Sequence, residues 1–456
     1  MSDLVLSEKL GKLTHPSLGI IRWVIEANLQ HDEPPIHIAL CEFTNPIKLR
    51  PARISDTKWQ EGSLQEAGQG LDIRAGALNP VGRKHSTGAG GDRTSAIWAT
   101  IGEACERYAM HLDDGASAIM ATEAELKSRF VAPSEFILFS QEQYDDFLFT
   151  YAPYDPDQPL KWREAVELSS GETVMVPAQF VSGPLESAEY QILDAMYSTG
   201  CAAGASPSHA VASALRETIE RDAFMYYWLS EDTPSKIDPA YAAGFVPDWV
   251  RPLLAWQGVE THLLLLQTDH SIPVVCALLL PTEGDGVAIG ASCHLDWTVA
   301  LEKAVVEAFH TLNWVIDMER WDVQPPRGND VRDFNDHVAF YRHPERREKL
   351  SFFTAGDLVQ PEVSGDLPDA EDHRSHLSRM NSALGEVGLE TLVINLTPSD
   401  LASIDIHVAR ALVPGMHPLH AGEGSAHLDR RRLEKIAQAR GRTLPEIFNR
   451  DPHPFP

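Results

Sequence analysis

The chain has 456 residues and a formal net charge of −28 at pH 7, and its hydrophobic content of 43% is ordinary for a folded globular protein. This length is too great for one small core and suits one large composite domain or two to three subdomains. An acidic surface of this kind repels nucleic acid and anionic membrane, so neither is an expected partner. No apolar run is long enough to span a bilayer, and the five scattered cysteines contain no CxxC. The cysteine pattern favours a reducing cytoplasm over a disulfide framework or a zinc site.

The predicted elements mix helices and strands along the chain. A possible helix (GIIRWVIEANLQ, 19–30) precedes a strand-like run (IHIALCEF, 36–43). A glycine-rich stretch then leads into a long helix from about residue 95, and a second stretch and helix occupy 198–229. Strand-like runs (THLLLLQ, IPVVCALLLP and GVAIGAS) come before a third helix at 298–318.

The last third of the chain is more irregular. The charged segment at about 320–380 is expected to be an exposed insertion or linker. Two strands (TLVINLT and HVARALVPG), a short helix near 429–440 and a proline-rich tail follow. This order predicts an α/β (α+β) fold without a regular βαβ repeat. There is neither a Walker A sequence nor a complete GxGxxG, which argues against a P-loop or Rossmann fold.

One acidic helix pattern occurs twice. ATIGEACER (99–107) and SALRETIER (213–221) both end in Glu-x-x-Glu-Arg, and both follow a glycine-rich stretch, STGAGG or STGCAAG. Residues three and four apart share a helix face, so the two glutamates of each copy project together. Two such carboxylates repel each other unless a cation lies between them. A lone pair is usually a solvated face, but recurrence beside apolar positions favours a binding site. A third, weaker unit carries Glu307.

Carboxylate oxygens suit Mg²⁺, which proteins usually bind through a few carboxylates together with substrate phosphates. Glycine-rich turns before helices would offer backbone N–H groups and a positive dipole end to those phosphates. The sequence therefore predicts a metal–nucleotide site. The expected metal ligands are Glu103, Glu106, Glu217, Glu220 and Glu307. Arg107 and Arg221, each next to the second glutamate of its pair, could contact phosphate or orient the carboxylates.

Glu307 and His310 form a Glu-x-x-His pair, which is also a feature of di-iron carboxylate proteins. That architecture needs a second Glu-x-x-His and four long helices. The sequence has no second copy, and predicted strands separate its helices. The di-iron interpretation is therefore disfavoured, and the cysteines are interpreted as small core residues rather than nucleophiles.

The acidic stretches resemble the three ATP-site stretches of the YcaO superfamily, over roughly residues 80–425. STGAGGDRTSAIWATIGEACERYA is similar to the first, STGCAAGASPSHAVASALRETIERDAF to the second and LDWTVALEKAVVEAFH to the third. INLTPSD and HVARALVPGMHPL resemble the strand pair that follows. The chain departs from the family pattern at Ala89, Ala99, His310 and Leu312, where lysine, serine, glutamine and arginine are usual. All the carboxylates are retained.

Within the superfamily, the tail resembles that of the azoline-forming cyclodehydratases, the D-proteins of thiazole/oxazole-modified peptide biosynthesis of the microcin B17 type. The chain ends in Pro-His-Pro-Phe-Pro. A proline-rich end is otherwise usually disordered. A polyproline II tail is already stiff, so placing its terminal carboxylate costs less entropy than placing a flexible one. The resemblance implies an N-terminal segment on the core (1–75), a catalytic domain (76–425), and a C-terminal helix and tail entering the active site (426–456).

The resemblance further implies a YcaO-type ATP-binding fold of mixed sheets and helices. The implied cofactors are ATP and Mg²⁺, and the implied activity is conversion of Cys, Ser or Thr in a ribosomally made precursor peptide to azolines by phosphorylation of the backbone amide oxygen. Glu103, Glu220 and the Pro456 carboxylate are then the expected catalytic groups. The expected nucleotide contacts are Ser86, Arg107, Ser213, Glu217, Arg221, His310 and Arg410.

About 75 residues in front of the YcaO region are too few for an E1-like domain. A separate E1-like leader-binding protein is therefore expected, with an FMN-dependent azoline dehydrogenase as a further candidate partner and a homodimer within a synthetase complex as the expected assembly. Two alternatives stay open. One is a YcaO enzyme that makes a thioamide or an amidine. The other is a non-catalytic scaffold that binds ATP or a peptide without turnover.

Overall fold

The structure is a computed structural model that describes residues 3–15, 19–28, 33–44, 83–112, 117–182, 191–194, 198–363, 365–422 and 424–456. Its strands are β1 (Ile21–Glu26), β2 (His37–Thr44), β3 (Arg83–Gly90), β4 (Ile119–Ala121), β5 (Leu160–Glu167), β6 (Thr173–Pro177), β7 (Cys201–Gly204), β8 (Ser235–Ile237), β9 (Val259–Leu265), β10 (Val274–Pro281), β11 (Ala288–Cys293), β12 (Leu358–Val359), β13 (Leu392–Asn395) and β14 (His407–Leu412). Its α-helices are α1 (Asp3–Leu13), α2 (Arg93–Leu112), α3 (Gln141–Asp145), α4 (Pro207–Ser230), α5 (Pro239–Ala242), α6 (Arg251–Leu254), α7 (Trp297–Arg320), α8 (Phe334–Phe340), α9 (Ser351–Thr354), α10 (His373–Glu386), α11 (Ser399–Ala402) and α12 (Arg431–Ala439). Short 3₁₀ segments lie at Glu123–Glu125, Pro133–Glu135, Ala178–Phe180 and Pro344–Leu350.

The described strands form three sheets. The first has the antiparallel order β1-β2-β3. The second has the order β11-β10-β9-β8-β12, with only the β8–β12 pair parallel. The third has the antiparallel order β4-β5-β13-β14-β7, with β6 paired to β5. The predicted α/β (α+β) class is confirmed, and the mainly antiparallel pairing differs from the parallel sheets of P-loop and Rossmann folds.

A strand followed by a long helix occurs three times: β3 and α2, β7 and α4, β11 and α7. The glycine-rich stretches were expected to be turns, but STGAGG lies mostly within β3, and CAAG of the second stretch is β7. Their small residues let a helix lie directly on its strand. A Cβ atom on Gly88 would come 2.3 Å from the Thr100 backbone nitrogen, and one on Gly290 would come 2.3 Å from that of Ala308.

Two sequence predictions of local structure are wrong. GIIRWVIEANLQ contains strand β1 rather than a helix, because pairing with β2 satisfies its backbone, with Ile21 opposite Phe43. The 320–380 segment is not simply an exposed linker, since α8 has a buried face of which Phe340 is wholly inaccessible. The strand at IHIALCEF, the third long helix, the β13–β14 pair and the short helix near 429–440 are confirmed.

Helix α4 lies at the centre of the largest hydrophobic cluster and contacts β7, β14 and α10. Its residues 223–229 are all at most 1% exposed, as expected of a helix covered on every side. The tail returns to this core, where the Phe455 side chain is also fully buried. All five cysteines are free and buried, in agreement with their predicted packing role. In the described part of the chain, no helix is long and apolar enough to cross a membrane.

Candidate functional site

Each of the three long helices carries a glutamate that is bonded to the strand just before that helix. The carboxylate accepts a hydrogen bond from a backbone N–H that lies 16 or 17 residues earlier in the chain. These bonds run from Thr87 N to Glu103 Oε2 (3.1 Å), from Gly200 N to Glu217 Oε2 (3.2 Å) and from Ala291 N to Glu307 Oε2 (3.0 Å). The three units therefore repeat in hydrogen bonding as well as in sequence. The amides of the glycine-rich stretches that were expected to cradle phosphate are partly used to hold carboxylates.

Glu106 connects the first unit to the second. Its Oε1 atom accepts a hydrogen bond of 2.8 Å from the backbone N–H of Ala203, which lies in β7. Glu106 thereby lies close enough to Glu217 for the charge of Glu217 to raise its pKa. The pKa of Glu220, on α4, is likewise raised by the charge of Glu307, which lies on α7. The structure thus brings all five predicted carboxylates into one cluster.

Burial is the largest cause of the raised pKa values in this cluster, and repulsion between carboxylates adds to it. Burial raises the pKa of Glu106 to about 8 and that of Glu307 to about 7. The pKa of Glu217 is raised, and that of Glu220 is raised well above its usual value, by burial and then by Glu307 and Glu217. Buried carboxylates with raised pKa values would gain free energy from an added cation.

The predicted arginines lie beside these carboxylates. A nitrogen of Arg107, whose side chain is half exposed, is 2.5 Å from Glu103 Oε1. The Nε atom of Arg221 is 3.5 Å from Glu220 and 3.8 Å from Glu217. Arg410, in β14, is fully buried, and its charge acts on Glu217.

The other predicted nucleotide contacts differ in their surroundings. His310 is partly buried near Glu103, and burial lowers its pKa against the opposing effect of that carboxylate. Ser213 is half buried on α4, one turn before Glu217. The Ser86 hydroxyl faces the interior and donates a 2.9 Å hydrogen bond to the Thr100 carbonyl. A nucleotide contact by Ser86 would have to replace that bond.

The tail contacts Arg221, which lies beside the second carboxylate pair. The guanidinium carbon of Arg221 lies 3.9 Å from the centre of the Phe455 ring, a cation–π contact. The same ring packs edge-on against Phe224, with ring centres 5.0 Å apart. Arg221 therefore contacts both Glu220 and the residue that precedes the C-terminal Pro456.

A cluster of basic side chains, not predicted from the sequence, lies one helical turn before the carboxylates. It consists of Arg216 on α4, Lys303 on α7, His294 and His376, together with the stacked pair His209 and His373. Burial is the largest cause of the lowered pKa at all four histidines, and the charge of Arg216 contributes at each of them. The spacing of Arg216 to Glu220 equals that of Lys303 to Glu307, a repeated signal in the sequence that could have identified the two cations.

Several nitrogen atoms of this cluster have no hydrogen-bond partner in the described part of the chain. Arg216 is 9% exposed and its Nε lacks such a partner there, while His376 is 1% exposed and both its ring nitrogens lack one among the described residues. A buried guanidinium with a free nitrogen, such as that of Arg216, close to acidic side chains suits a ligand that carries both phosphate and metal.

The donor atoms fit Mg²⁺ held jointly with a nucleotide. Among the described residues, no three carboxylate, imidazole or thiol groups are close enough to enclose a metal by themselves. The carboxylates come from three separate helices and leave coordination positions for water and phosphate oxygens, which is how Mg²⁺ is usually bound. The raised pKa values of Glu106, Glu217, Glu220 and Glu307 indicate that the cations of the protein do not fully offset the charge of this cluster.

The chain belongs to the YcaO family. The family model described as YcaO cyclodehydratase, ATP- and Mg²⁺-binding, matches residues 87–417. This match confirms the resemblance seen in the three acidic stretches. The predicted cofactors, ATP and Mg²⁺, are those by which the family is described.

Solved structures confirm the YcaO-type fold. A heterocyclase in complex with substrate and cofactor has a TM-score of 0.73 at 19% identity, over 99% of this chain and 57% of that chain. YcaO from Methanopyrus kandleri bound with AMPPCP and Mg²⁺ has a TM-score of 0.60 at 16% identity, over 91% and 90% of the two chains. The E. coli microcin synthetase McbBCD complex has a TM-score of 0.54 at 13% identity, over 86% and 88%.

A curated relative from Rhizobium leguminosarum bv. trifolii, an uncharacterized protein in the tfuA 3′ region, is 30% identical over 278 residues. The match covers 57% of this chain and 61% of the relative. The chain thus spans less than two thirds of the length of this relative and of the first heterocyclase chain.

Proposed function

We propose that this chain is an ATP-dependent cyclodehydratase that converts Cys, Ser or Thr residues of a ribosomally synthesised precursor peptide to azolines. The observation that carries the proposal is the contact between Phe455 and Arg221. It brings a proline-rich C-terminus, which a nucleotide-binding scaffold would not need, next to the carboxylates expected to bind Mg–ATP.

In the proposed reaction, the side-chain oxygen or sulfur of the substrate residue attacks the preceding amide carbonyl carbon. The former carbonyl oxygen receives the γ-phosphoryl group of ATP, and the C–O bond then breaks as phosphate leaves. The net change is loss of one water from the peptide and hydrolysis of one ATP to ADP and phosphate. Phosphorylation is needed because an amide oxygen is a poor leaving group.

The five carboxylates would hold Mg²⁺ from three sides. When bound, Mg²⁺ would neutralise part of the charge on the transferred phosphoryl group. Glu103 and Glu220 are proposed to act closest to the reacting phosphate, where they would orient it. The proposed nucleotide contacts are Ser86, Arg107, Ser213, Glu217, Arg221, His310 and Arg410. Arg216 and Lys303 join this set, because both are basic side chains that lie one helical turn before an expected metal ligand, Glu220 and Glu307 respectively.

The Pro456 carboxylate is proposed to accept the proton of the attacking hydroxyl or thiol. It is the next group along the chain after Phe455, whose ring lies on Arg221. A general base must come within hydrogen-bond reach of the proton that it removes. The rigid tail keeps the carboxylate at the end of a chain that has little freedom to move away.

The arrangement of the whole protein is part of the proposal. We expect residues 1–75 to support the catalytic domain at 76–425, and residues 426–456 to form the helix and tail that complete the site. An E1-like protein would bind the leader of the precursor. An FMN-dependent dehydrogenase would oxidise azolines to azoles, and the chain would act as a homodimer within the synthetase complex, in the cytoplasm.

The experiment incubates the purified chain with ATP, Mg²⁺ and a precursor peptide encoded beside its gene, with and without a copurified E1-like partner, and measures the mass of the product. Loss of one water per modified residue is expected. Replacement of oxygen by sulfur would indicate a thioamide instead. Binding of ATP and peptide without any change of mass would indicate a scaffold. Full activity of the chain alone would contradict the need for a leader-binding partner.

A further inference from the structure

The C-terminal tail is held by its backbone carbonyl groups. Pro452, Pro454 and Pro456 have no backbone N–H, so hydrogen bonds to this segment must rely largely on its C=O groups. Four successive carbonyls each lie at hydrogen-bond distance from a different side chain. The pairs are Arg450 O with Asn329 Nδ2 (3.3 Å), Asp451 O with Trp228 Nε1 (3.0 Å), Pro452 O with Tyr341 Oη (2.6 Å) and His453 O with His337 Nδ1 (2.7 Å).

The last three donors lie on two helices. Trp228 lies on α4 and is fully buried. His337 is within α8 and Tyr341 follows its last residue, four positions later, so both face the tail from one side of the helix. The side chain of Asp333 caps α8 by accepting a hydrogen bond from Asp336 N. The donors therefore have little freedom to follow a tail that moves.

The side chain of His453 fixes the same position from a second direction. Its ring stacks on that of His337, with centres 3.9 Å apart and planes at 11°. Its Nε2 atom lies 2.8 Å from the carbonyl oxygen of His420. Lys349 adds an ion pair of 2.6 Å with Asp451. The tail is thus held at four consecutive residues, 450–453, just before Phe455 reaches Arg221.

Such a row of contacts determines the register of the tail. A polyproline II chain rises about 3.1 Å per residue, so a slip of one residue would move its end by that distance. The slip would also take Phe455 off Arg221 and leave the four donors facing the wrong carbonyls. A displacement of a catalytic group by about 1 Å can lower the reaction rate about a hundredfold.

We propose that Trp228, His337 and Tyr341 are positioning residues. They hydrogen-bond to the backbone carbonyls of residues 451–453 and thereby set how far the tail reaches toward the carboxylate cluster. The role of the terminal carboxylate in ring formation rests on the proposed function, whereas the anchoring of the tail does not. Residues that only stabilised the fold would affect the unfolding temperature without a specific effect on the tail.

The test is Tyr341→Phe, which removes one hydroxyl and keeps the shape of the side chain. Tyr227→Phe is the matched control, because Tyr227 is equally buried and its hydroxyl also donates to a backbone carbonyl, that of Gln267 at 3.0 Å, outside the tail. Hydrogen exchange of the C-terminal peptide in the full-length chain reports anchoring. Ring formation and the KM for ATP report the effect on the reaction.

In Tyr341→Phe we expect the rate of hydrogen exchange at the amides of His453 and Phe455 to rise about tenfold. The kcat for ring formation should fall about tenfold. Both changes follow from the loss of one hydrogen bond. The KM for ATP should not change, and Tyr227→Phe should behave as the unmodified chain in both measurements. Unchanged exchange in Tyr341→Phe would overturn the anchoring. Faster exchange with an unchanged kcat would overturn the positioning role. If the unmodified chain forms no rings, the exchange result still decides the anchoring, and the failure belongs to the proposed function.

Discussion

The Glu106 carboxylate accepts a hydrogen bond of 2.8 Å from the backbone N–H of Ala203, which joins the helix of the first acidic unit to the strand of the second. The bond explains why one chain contains the same acidic helix turn twice. Each copy supplies two carboxylates to one side of a single cluster, and the helix of the first copy is bonded to the strand of the second. The burial that results raises the pKa of Glu106 to about 8. A cation bound beside such a carboxylate would stabilise its charged form.

Glu106→Gln tests the cluster without changing its shape. The amide keeps the volume and can still accept the Ala203 hydrogen bond, but it is a poor ligand for Mg²⁺. We expect ATP turnover to fall by about a hundredfold, the upper end of the losses seen when even the supporting groups of a metal site are removed. Glu386→Gln, an exposed position on α10, is the control and should retain full turnover. Equal turnover in the two variants would show that Glu106 has no role in ATP use.

Removal of the metal should lower stability. The cluster buries carboxylates that repel one another, and Mg²⁺ with nucleotide would bind only the folded chain. At a hundred times its dissociation constant, such a ligand adds about 2.7 kcal/mol to the free energy of unfolding. We expect Mg–ATP to raise the unfolding temperature and chelation of Mg²⁺ by EDTA to reverse the rise. The double variant Glu217→Gln, Glu220→Gln should show no rise, and a full shift in that variant would contradict these assignments.

A buried ion-pair network fixes α12 to the central helix. Arg432 is 1% exposed and bonds Asp222 of α4 through Nη2 at 2.7 Å and Asp269 through Nη1 at 2.6 Å. Removing one partner of a buried pair usually costs about 3–5 kcal/mol, so Asp222→Ala should destabilise the chain by that amount in denaturant unfolding.

The control for this network is Glu434→Ala on the same helix. Glu434 pairs with Arg430, and both side chains are exposed, at 60% and 41%. An exposed pair of this kind contributes at most about 1 kcal/mol. If the two variants lost similar stability, the network would not be what holds α12 in place.

The buried histidines around the tail should make the stability of the folded chain sensitive to acid. Burial lowers the pKa of His337 to about 4 and that of His420 well below its ordinary value of 6.5. The folded chain keeps these rings neutral while the unfolded chain protonates them below pH 6.5, so stability should fall as the pH drops from about 6.5 toward 4. A ring that stays neutral in the fold accounts for about 2 kcal/mol of this loss between pH 6.5 and 5.

His420→Gln isolates one of these groups. The His420 ring Nδ1 atom has no hydrogen-bond partner among the residues that the structure describes, so the substitution removes a titrating group at little cost in bonding. The free energy of unfolding should then fall less steeply between pH 7 and 5 than in the unmodified chain. An unchanged slope would show that His420 does not titrate on unfolding. Urea unfolding at several pH values supplies the measurement.

Local pattern in the sequence was enough to find the carboxylates but not all of their surroundings. Three- and four-residue spacing places Glu217 and Glu220 on one face whatever the rest of the fold does. Strand β1 was missed because its pairing partner lies 13 or more residues further along the chain, and only that pairing selects strand over helix. The tail donors were missed for a related reason. Tyr341 and Pro452 are 111 residues apart, and no local signal connects them.

The most direct test of the proposed chemistry follows one oxygen atom. A precursor peptide labelled with ¹⁸O at the amide carbonyl before a cyclising residue is incubated with the chain, its partner, ATP and Mg²⁺, and the released phosphate is analysed by mass. Transfer of the γ-phosphoryl group to the amide oxygen predicts that the phosphate carries one ¹⁸O for each ring formed. Ring formation with ¹⁸O released to water and unlabelled phosphate would contradict it.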